Sequence, residues 1–183
     1  MFVRNMARIF HQRRMPALLI KLGITKTFDS VRWEYLLTLM QHIAFPVKWC
    51  DWISMLLATS SSRVLMNGIP NPPLNHSRGL QQGDPLSPLL FILAIDSLQR
   101  PLELATSSGI LSPLRGRTPR MRISMYANDA AIFVNPTKED LAALAEVLNL
   151  FAKAMGLRTN FHKSLVAPID VMALTSMTSF ATF

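Results

Sequence analysis

The stretch RGLQQGDPLSPLLF, residues 78–91, decides the fold that we predict for this chain. It joins a glycine-containing loop, residues 79–83, to an apolar run. An acidic residue such as Asp84 is typical of the start of a helix. We therefore predict a long helix over about residues 86–105, which Pro101 kinks or splits.

Two shorter segments flank this stretch. KLGITKTFD, residues 21–29, precedes it, and MYANDA, residues 125–130, follows it. The second segment lies between two predicted strands, residues 122–126 and 130–134, joined by a tight turn at residues 127–128. The chain therefore carries three polar or glycine-containing segments, each next to a regular element.

The rest of the chain alternates helices and short strands, in an order typical of an α+β domain. Periodicity predicts helices over residues 3–14, 31–42, 47–58 and 137–156. Strands are predicted at residues 17–20 and near 165–166, with a hairpin around Asn67-Gly68. Among the helix ends, we predict that Ser30 caps the second helix, that Thr137 and Asp140 form a capping box, and that Gly156 closes the last helix.

Composition narrows the class of protein. Half of the 183 residues are hydrophobic and 16% are charged, so we expect other parts of a larger assembly to cover apolar surface. The sequence has no uninterrupted apolar run of about 18 residues, so we predict no membrane span. The net charge of +8 favours a polyanionic partner, above all nucleic acid. Cys50 is the single cysteine, which excludes an internal disulfide.

In this order and spacing, residues 21–29, 78–91 and 125–130 resemble motifs A, B and C of reverse transcriptases. The flanking residues 17–21 and 156–164 resemble the non-LTR (LINE-class) retrotransposon enzymes common in plant genomes. The resemblance implies a polymerase palm: a ferredoxin-like antiparallel sheet with helices packed on one face, plus a remnant of the fingers. We predict a truncated copy. A partial reverse transcriptase domain spans residues 1–168, and residues 169–183 form an apolar tail of unclear origin.

The resemblance also implies a two-metal site for Mg²⁺ or Mn²⁺, with one carboxylate from motif A and two adjacent ones from motif C. Such metals take hard oxygen ligands and activate the primer hydroxyl while holding the triphosphate. Here Gly23 stands at the motif A position and Asn128 at the first motif C position, so only Asp129 keeps its acid. Asn128 offers a weak neutral oxygen, and Ile24 could lend its backbone carbonyl. We therefore predict little or no polymerase activity.

Four other positions carry roles that the resemblance implies. Phe28 matches the aromatic that selects deoxynucleotides, Gln82 and Gly83 match the pair that contacts the incoming nucleotide and template, and Lys163 matches the catalytic lysine of motif D near the triphosphate. Simpler interpretations exist: Phe28 as a core side chain and Lys163 as a solvated one. Asp29 is interpreted as structural, on an extended segment pointing away from the metals.

By resemblance, the partners are an RNA template, a DNA primer and dNTPs, together with fingers and thumb regions of a longer polyprotein, and no membrane. We predict no signal peptide. Localisation is nuclear or cytoplasmic by resemblance only. Three functions remain open: an impaired RNA-directed DNA polymerase, a non-catalytic nucleic-acid-binding remnant, and an inert or protein-associating remnant. An RNA-dependent RNA polymerase fits the motif A spacing and Phe28 less well. Basic side chains near the start either contact template phosphates or form a solvated helix face: Arg4, Arg8, Arg13 and Arg14.

Overall fold

The structure is a computed structural model that describes residues 2–24, 27–114, 122–126 and 129–170, without the side chains of residues 126, 129, 161 and 162. Its elements in chain order are α1 (Phe2–Gln12), β1 (Ala17–Ile24), α2 (Thr27–Ser30), α3 (Trp33–His42), α4 (Val47–Ala58), β2 (Ser61–Ser62), β3 (Leu65–Met66), β4 (Ile69–Pro70), β5 (Leu74–Asn75), α5 (Ser87–Asp96), α6 (Gln99–Ser107), β6 (Ile123–Tyr126), β7 (Asp129–Val134), α7 (Lys138–Met155) and β8 (Thr159–Ile169).

A four-stranded antiparallel sheet, in the order β6-β7-β1-β8, is the centre of the fold. Strand β1 is apolar along most of its length. This composition suits its position, because the strand pairs on both sides and both of its faces are covered near its start. Since side chains alternate along a strand, Leu18, Ile20 and Leu22 point to one face. These three side chains belong to the main core, whereas Ala17 and Leu19 belong to a second cluster.

Helices cover the two faces unequally. Helices α3 to α7 pack with Leu18, Ile20 and Leu22 in the main core. Helix α1 lies on the other face, where Met6 and Phe10 are buried with Phe133 of β7. The predicted palm, a mixed fold with an antiparallel sheet, is therefore confirmed, and α1 adds a layer on the face opposite the main helices.

The predicted long helix after the glycine-containing loop is present and is split. It ends at Asp96 as α5 and resumes at Gln99 as α6. Pro101 lies in the first turn of α6, where a missing backbone N–H leaves no hydrogen bond unmade. The break therefore lies just before the proline.

One predicted helix start is wrong. Ser30 is the last residue of the short helix α2, and α3 begins at Trp33 with Arg32 in the capping position and no side-chain cap. A tertiary contact instead fixes the backbone at this start, since Arg32 donates its backbone N–H to the Met155 carbonyl oxygen over 2.9 Å. Asp29 consequently lies on a helical turn, and the predicted extended conformation there is also wrong.

Both predicted ends of α7 are confirmed. The Thr137 hydroxyl accepts a 3.2 Å hydrogen bond from the Asp140 backbone N–H, and Gly156 closes α7 in the left-handed conformation. Helix α4 has the predicted bounds, and β3 and β4 form the predicted hairpin. None of the described helices is long and apolar enough to cross a membrane. The predicted apolar tail lies outside the described residues from residue 171 onward.

Candidate active site

The sheet register places the motif A position directly opposite motif C. Gly23 of β1 pairs with Asp129 of β7, and Lys21, two residues earlier on the same face, pairs with Ala131. The strands thus bring together two of the three positions expected to hold metal ligands. Asn128 lies outside the described residues, as does the side chain of Asp129.

The edge strand β8 bulges over Gly23. Two steps along β1, from Lys21 to Gly23, match five steps along β8, from Leu165 to Asn160, so three extra residues of β8 are accommodated there. A Cβ atom built on Gly23 would lie 2.7 Å from the Lys163 Cβ atom. The predicted motif D lysine is therefore beside the motif A position. Ile24, whose carbonyl was predicted as a metal ligand, pairs with Thr159 of β8.

A separate open pocket of about 340 Å³ gathers the predicted nucleotide-binding residues. Phe28 forms part of its wall and stacks on Phe91 at 5.0 Å between ring centroids. This contact supports both interpretations of Phe28, because one ring face packs on a core side chain while the residue lines the pocket. The complete lining is Thr27, Phe28, Gln81, Gln82, Gly83, Ser87 and Pro88.

Short hydrogen bonds hold the loop of this pocket against α2 and α3. The Gly79 N–H donates to the Val31 carbonyl and the Leu80 N–H to the Phe28 carbonyl, each over 2.7 Å. The Trp33 indole N–H donates to the Gly79 carbonyl over 2.6 Å. Gly79 has φ +90°, and a Cβ atom there would lie 2.9 Å from the Asp29 carbonyl oxygen. The loop is therefore fixed by its backbone.

Asp84 has the structural role predicted for it, since its Oδ1 accepts a 2.7 Å hydrogen bond from the Leu86 N–H. Trp33 and four pocket-lining residues were not predicted from the sequence: Thr27, Gln81, Ser87 and Pro88. All four lining residues stand inside the quoted segments, and adjacency to Phe28 and Gln82 was the signal available for Thr27 and Gln81. Trp33 gave only a general signal, because a buried indole N–H needs an acceptor.

A buried polar network anchors the start of the motif C hairpin. Arg122, 5% exposed, precedes β6 and donates from Nη2 to the Ser112 carbonyl oxygen. The Asp140 carboxylate accepts from the Ser112 N–H at 3.0 Å and from Asn135 Nδ2 at 2.7 Å. Burial lowers the pKa of the Arg122 guanidinium, and the charge of Asp140 raises it. Removing the carboxylate would leave a buried cation with little compensation.

The residues present do not fit a site for two divalent metals. Glycine supplies no side-chain ligand at residue 23, and asparagine supplies a neutral oxygen at residue 128. Within the described ranges, no group of three His, Cys, Asp or Glu side chains is arranged to hold a metal ion. The backbone and Cβ atom of Lys163 also lie where a side chain at residue 23 would extend.

The arginines of the first segment lie away from the core. Arg4 and Arg8 are exposed on α1, and Arg13 and Arg14 are exposed just after it. Their exposure is compatible with both predicted interpretations, phosphate contacts and a solvated face.

The antiparallel sheet, the helices packed on it and the loop-lined pocket define the class of this protein as a polymerase palm. The chain belongs to the reverse transcriptase (RNA-dependent DNA polymerase) family, whose model matches residues 3–174. The described structure resembles that of telomerase from Candida tropicalis with a TM-score of 0.67 at 10% identity, covering 90% of this chain and 29% of the telomerase. At that identity, the resemblance concerns the fold alone.

Two curated relatives refine the family. The uncharacterized 149 kDa protein of transposon TX1 from Xenopus laevis is 28% identical over 164 residues, which are 88% of this chain and 12% of the relative. The Pol polyprotein of the type-2 retrotransposable element R2DM from Drosophila melanogaster is 23% identical over 87% of this chain and 14% of the relative. The predicted assignment to the reverse transcriptase domain of non-LTR retrotransposons is thus confirmed, and the chain spans a small part of these relatives. Plant origin stays a prediction.

Proposed function

We propose that this chain is the palm of a non-LTR reverse transcriptase in which nucleotide addition is severely impaired. The observation that supports the proposal is the pairing of Gly23 with Asp129, because it puts a residue without a side chain opposite the one acid that motif C retains. Asn128, next to that acid, adds a neutral amide in place of a charge.

The size of the defect follows from the chemistry of the family. Two metals stabilise the charge that develops between the attacking and leaving oxygens. If each missing carboxylate costs about 3 kcal/mol, the two together slow nucleotide addition by about 10⁴-fold. Weaker affinity for Mg²⁺ or Mn²⁺ adds to this loss, since a neutral oxygen attracts a divalent cation less than a carboxylate does.

The pocket half of the site supports retained binding of nucleotide or template. Phe28, Gln82 and Gly83 line one open pocket of about 340 Å³, and we propose that Phe28 there disfavours a ribose 2′-hydroxyl. Lys163 is exposed on β8, and we propose that it contacts the triphosphate. We propose RNA template, DNA primer and dNTPs as partners, and the remaining regions of a longer polyprotein as the covering of the exposed apolar side chains.

Primer extension on an RNA template, with dNTPs and either Mg²⁺ or Mn²⁺, tests the impairment. The natural chain is compared with Gly23→Asp/Asn128→Asp, with an active reverse transcriptase as positive control. We expect no extension by the natural chain beyond about 10⁻⁴ of the control rate. Extension at a rate close to the control would overturn the proposal, because Asp129 and neutral oxygens would then suffice.

A second function, nucleic-acid binding without chemistry, is favoured by the net charge of +8 and the exposed arginines of the first segment. Binding of a primer-template duplex is measured between about 50 and 200 mM salt, where phosphate contacts give a steep decline. Arg4→Ala/Arg8→Ala should reduce the salt slope by about one to two, whereas Lys48→Ala on α4 serves as the matched control. Binding that does not depend on salt would exclude this function.

A further inference from the structure

The bulge of β8 needs a residue without a side chain at residue 23. A Cβ atom there would be 2.7 Å from the Lys163 Cβ atom, 3.1 Å from the Lys163 carbonyl oxygen and 3.2 Å from its carbonyl carbon. Even directly opposed residues of an antiparallel pair normally keep their Cβ atoms about 4.5–5.5 Å apart, and Lys163 lies in the bulge beyond the paired Asn160. The strands are thus closer at this point than two side chains permit.

Hydrogen bonds hold β8 in this position. The Gly23 N–H donates to the Ser164 hydroxyl oxygen over 3.1 Å, and that hydroxyl donates to the Asn160 carbonyl over 2.8 Å. The Lys163 N–H donates to Asn160 Oδ1 over 3.3 Å. The bulge is therefore closed by its own polar groups, and Gly23 is bonded into it.

We infer that β8 has filled the space of the motif A metal ligand, so that restoring the carboxylates alone does not restore the metal site. This inference deepens the proposed function and rests on it. The defect at residue 23 is steric as well as chemical. A single missing ligand would leave an open position that aspartate could fill, whereas the observed contacts leave no room for even a Cβ atom without movement of β8.

Charge acts in the same direction. Lys163 is the side chain that a new carboxylate at residue 23 would meet first. A lysine ammonium beside a carboxylate competes with a cation for its oxygens and favours the ion pair. Gly23→Asp alone should therefore displace β8 and form an ion pair with Lys163. We expect this variant to have little affinity for metal.

A double-mutant cycle on the full chain tests the steric contact. The unfolding equilibrium is measured for Gly23→Ala, for Lys163→Gly and for the pair, with urea as denaturant. Leu165→Gly provides the matched control background, because Leu165 is an exposed residue of the same strand, opposite Lys21. We expect Gly23→Ala to reduce the folding constant by about tenfold to a hundredfold in the natural and Leu165→Gly backgrounds.

In the Lys163→Gly background, the cost of Gly23→Ala should fall at least about fivefold, since the Cβ–Cβ contact is gone and only the backbone contacts remain. Equal costs in the Lys163→Gly and Leu165→Gly backgrounds would overturn the inference. If Gly23→Ala does not fold, recovery of folded protein on adding Lys163→Gly supports the inference, and no recovery contradicts it.

Mn²⁺ binding is the second readout and needs no catalysis. Gly23→Asp/Asn128→Asp should bind Mn²⁺ within about threefold of the natural chain, whereas adding Lys163→Gly should tighten binding at least about tenfold. If the double reversal already binds as tightly as the triple variant, β8 does not close the site. That result leaves the proposed impairment of the natural chain intact, which only primer extension by the natural chain can contradict.

Discussion

The pocket beside α2 and the strand junction around Gly23 lie on the same motif A segment but differ in what holds them. The pocket is open, and its loop is fixed by backbone hydrogen bonds to the Phe28 and Val31 carbonyls. The junction is closed, because β8 bulges onto the one residue of β1 that has no side chain there. The pocket keeps its shape through backbone hydrogen bonds, so its shape does not depend on the side chain at residue 23. A metal site at the junction would depend on side chains from both motif A and motif C.

The largest expected effect concerns the anchor of the motif C hairpin. Asp140→Ala should destabilise the fold by about 3–5 kcal/mol, because it leaves the buried Arg122 cation without the nearby negative charge and removes the acceptor of the 2.7 Å hydrogen bond from Asn135 Nδ2. Glu139→Ala, exposed in the same first turn of α7, is the control and should cost less than about 1 kcal/mol. Urea unfolding measures both. Equal costs of Asp140→Ala and Glu139→Ala would contradict the anchoring of the motif C hairpin by the buried network around Arg122.

The second prediction separates backbone fit from conformation in the pocket loop. Gly79 and Gly83 have nearly the same φ, +90° and +91°, but only Gly79 has backbone atoms of Asp29 where a Cβ atom would lie. Gly83→Ala should cost about 1–2 kcal/mol for the left-handed conformation. Gly79→Ala should cost about 3–4 kcal/mol, since overpacking adds to the same strain. Similar values from thermal or urea unfolding would mean that the loop is not pinned to α2.

A third, smaller effect tests the pocket as a nucleotide site. Phe28 lines the pocket. On its proposed role, Phe28→Ala should lower the preference for dNTP over rNTP binding by about tenfold, because the ring would no longer exclude a 2′-hydroxyl. Fluorescent nucleotide analogues measure the two affinities. Phe45→Ala, outside the pocket, is the control and should leave the preference unchanged. An unaltered preference in Phe28→Ala would favour the plain core interpretation.

The smallest expected effect is that of Mg²⁺ removal on dNTP affinity, which should hardly change. If the pocket binds nucleotide independently of the closed junction, chelation of Mg²⁺ by EDTA should alter dNTP affinity by less than about twofold. The measurement repeats the nucleotide titration with and without EDTA at constant ionic strength. A loss of tenfold or more on chelation would show that metal still connects the two halves of the site.

Sequence patterns predicted the elements that depend on local signals. Helix α4 starts after Pro46 and has the predicted bounds, and the hairpin at Asn67-Gly68 follows from its turn residues. The cap at Ser30 failed because α2 and a long-range hydrogen bond to Met155 set the start of α3. Pocket residues adjacent in the motifs came together as expected, since one loop carries most of them.

The features that could not be predicted depend on register between distant parts of the chain. Strand β8 was predicted only near residues 165–166, because its exposed edge has no alternating pattern, whereas it runs over Thr159–Ile169. The position of Lys163 over Gly23 depends on a three-residue shift between strands about 140 residues apart. The partners of Arg122 likewise come from two other segments. No local pattern reports such pairings.

The bulge over Gly23 also bears on how readily the proposed loss of the motif A carboxylate can be reversed in evolution. A single codon change at residue 23 would introduce the aspartate that the family resemblance leads us to expect there. With β8 packed against the glycine, however, the side chain of an aspartate at residue 23 would contact Lys163. On the inference above, this change alone costs stability without a gain in metal binding. On the inference above, restoring the metal site requires changes at residue 23, at residue 128 and in β8, through a less stable intermediate, so a single substitution does not reverse the proposed loss.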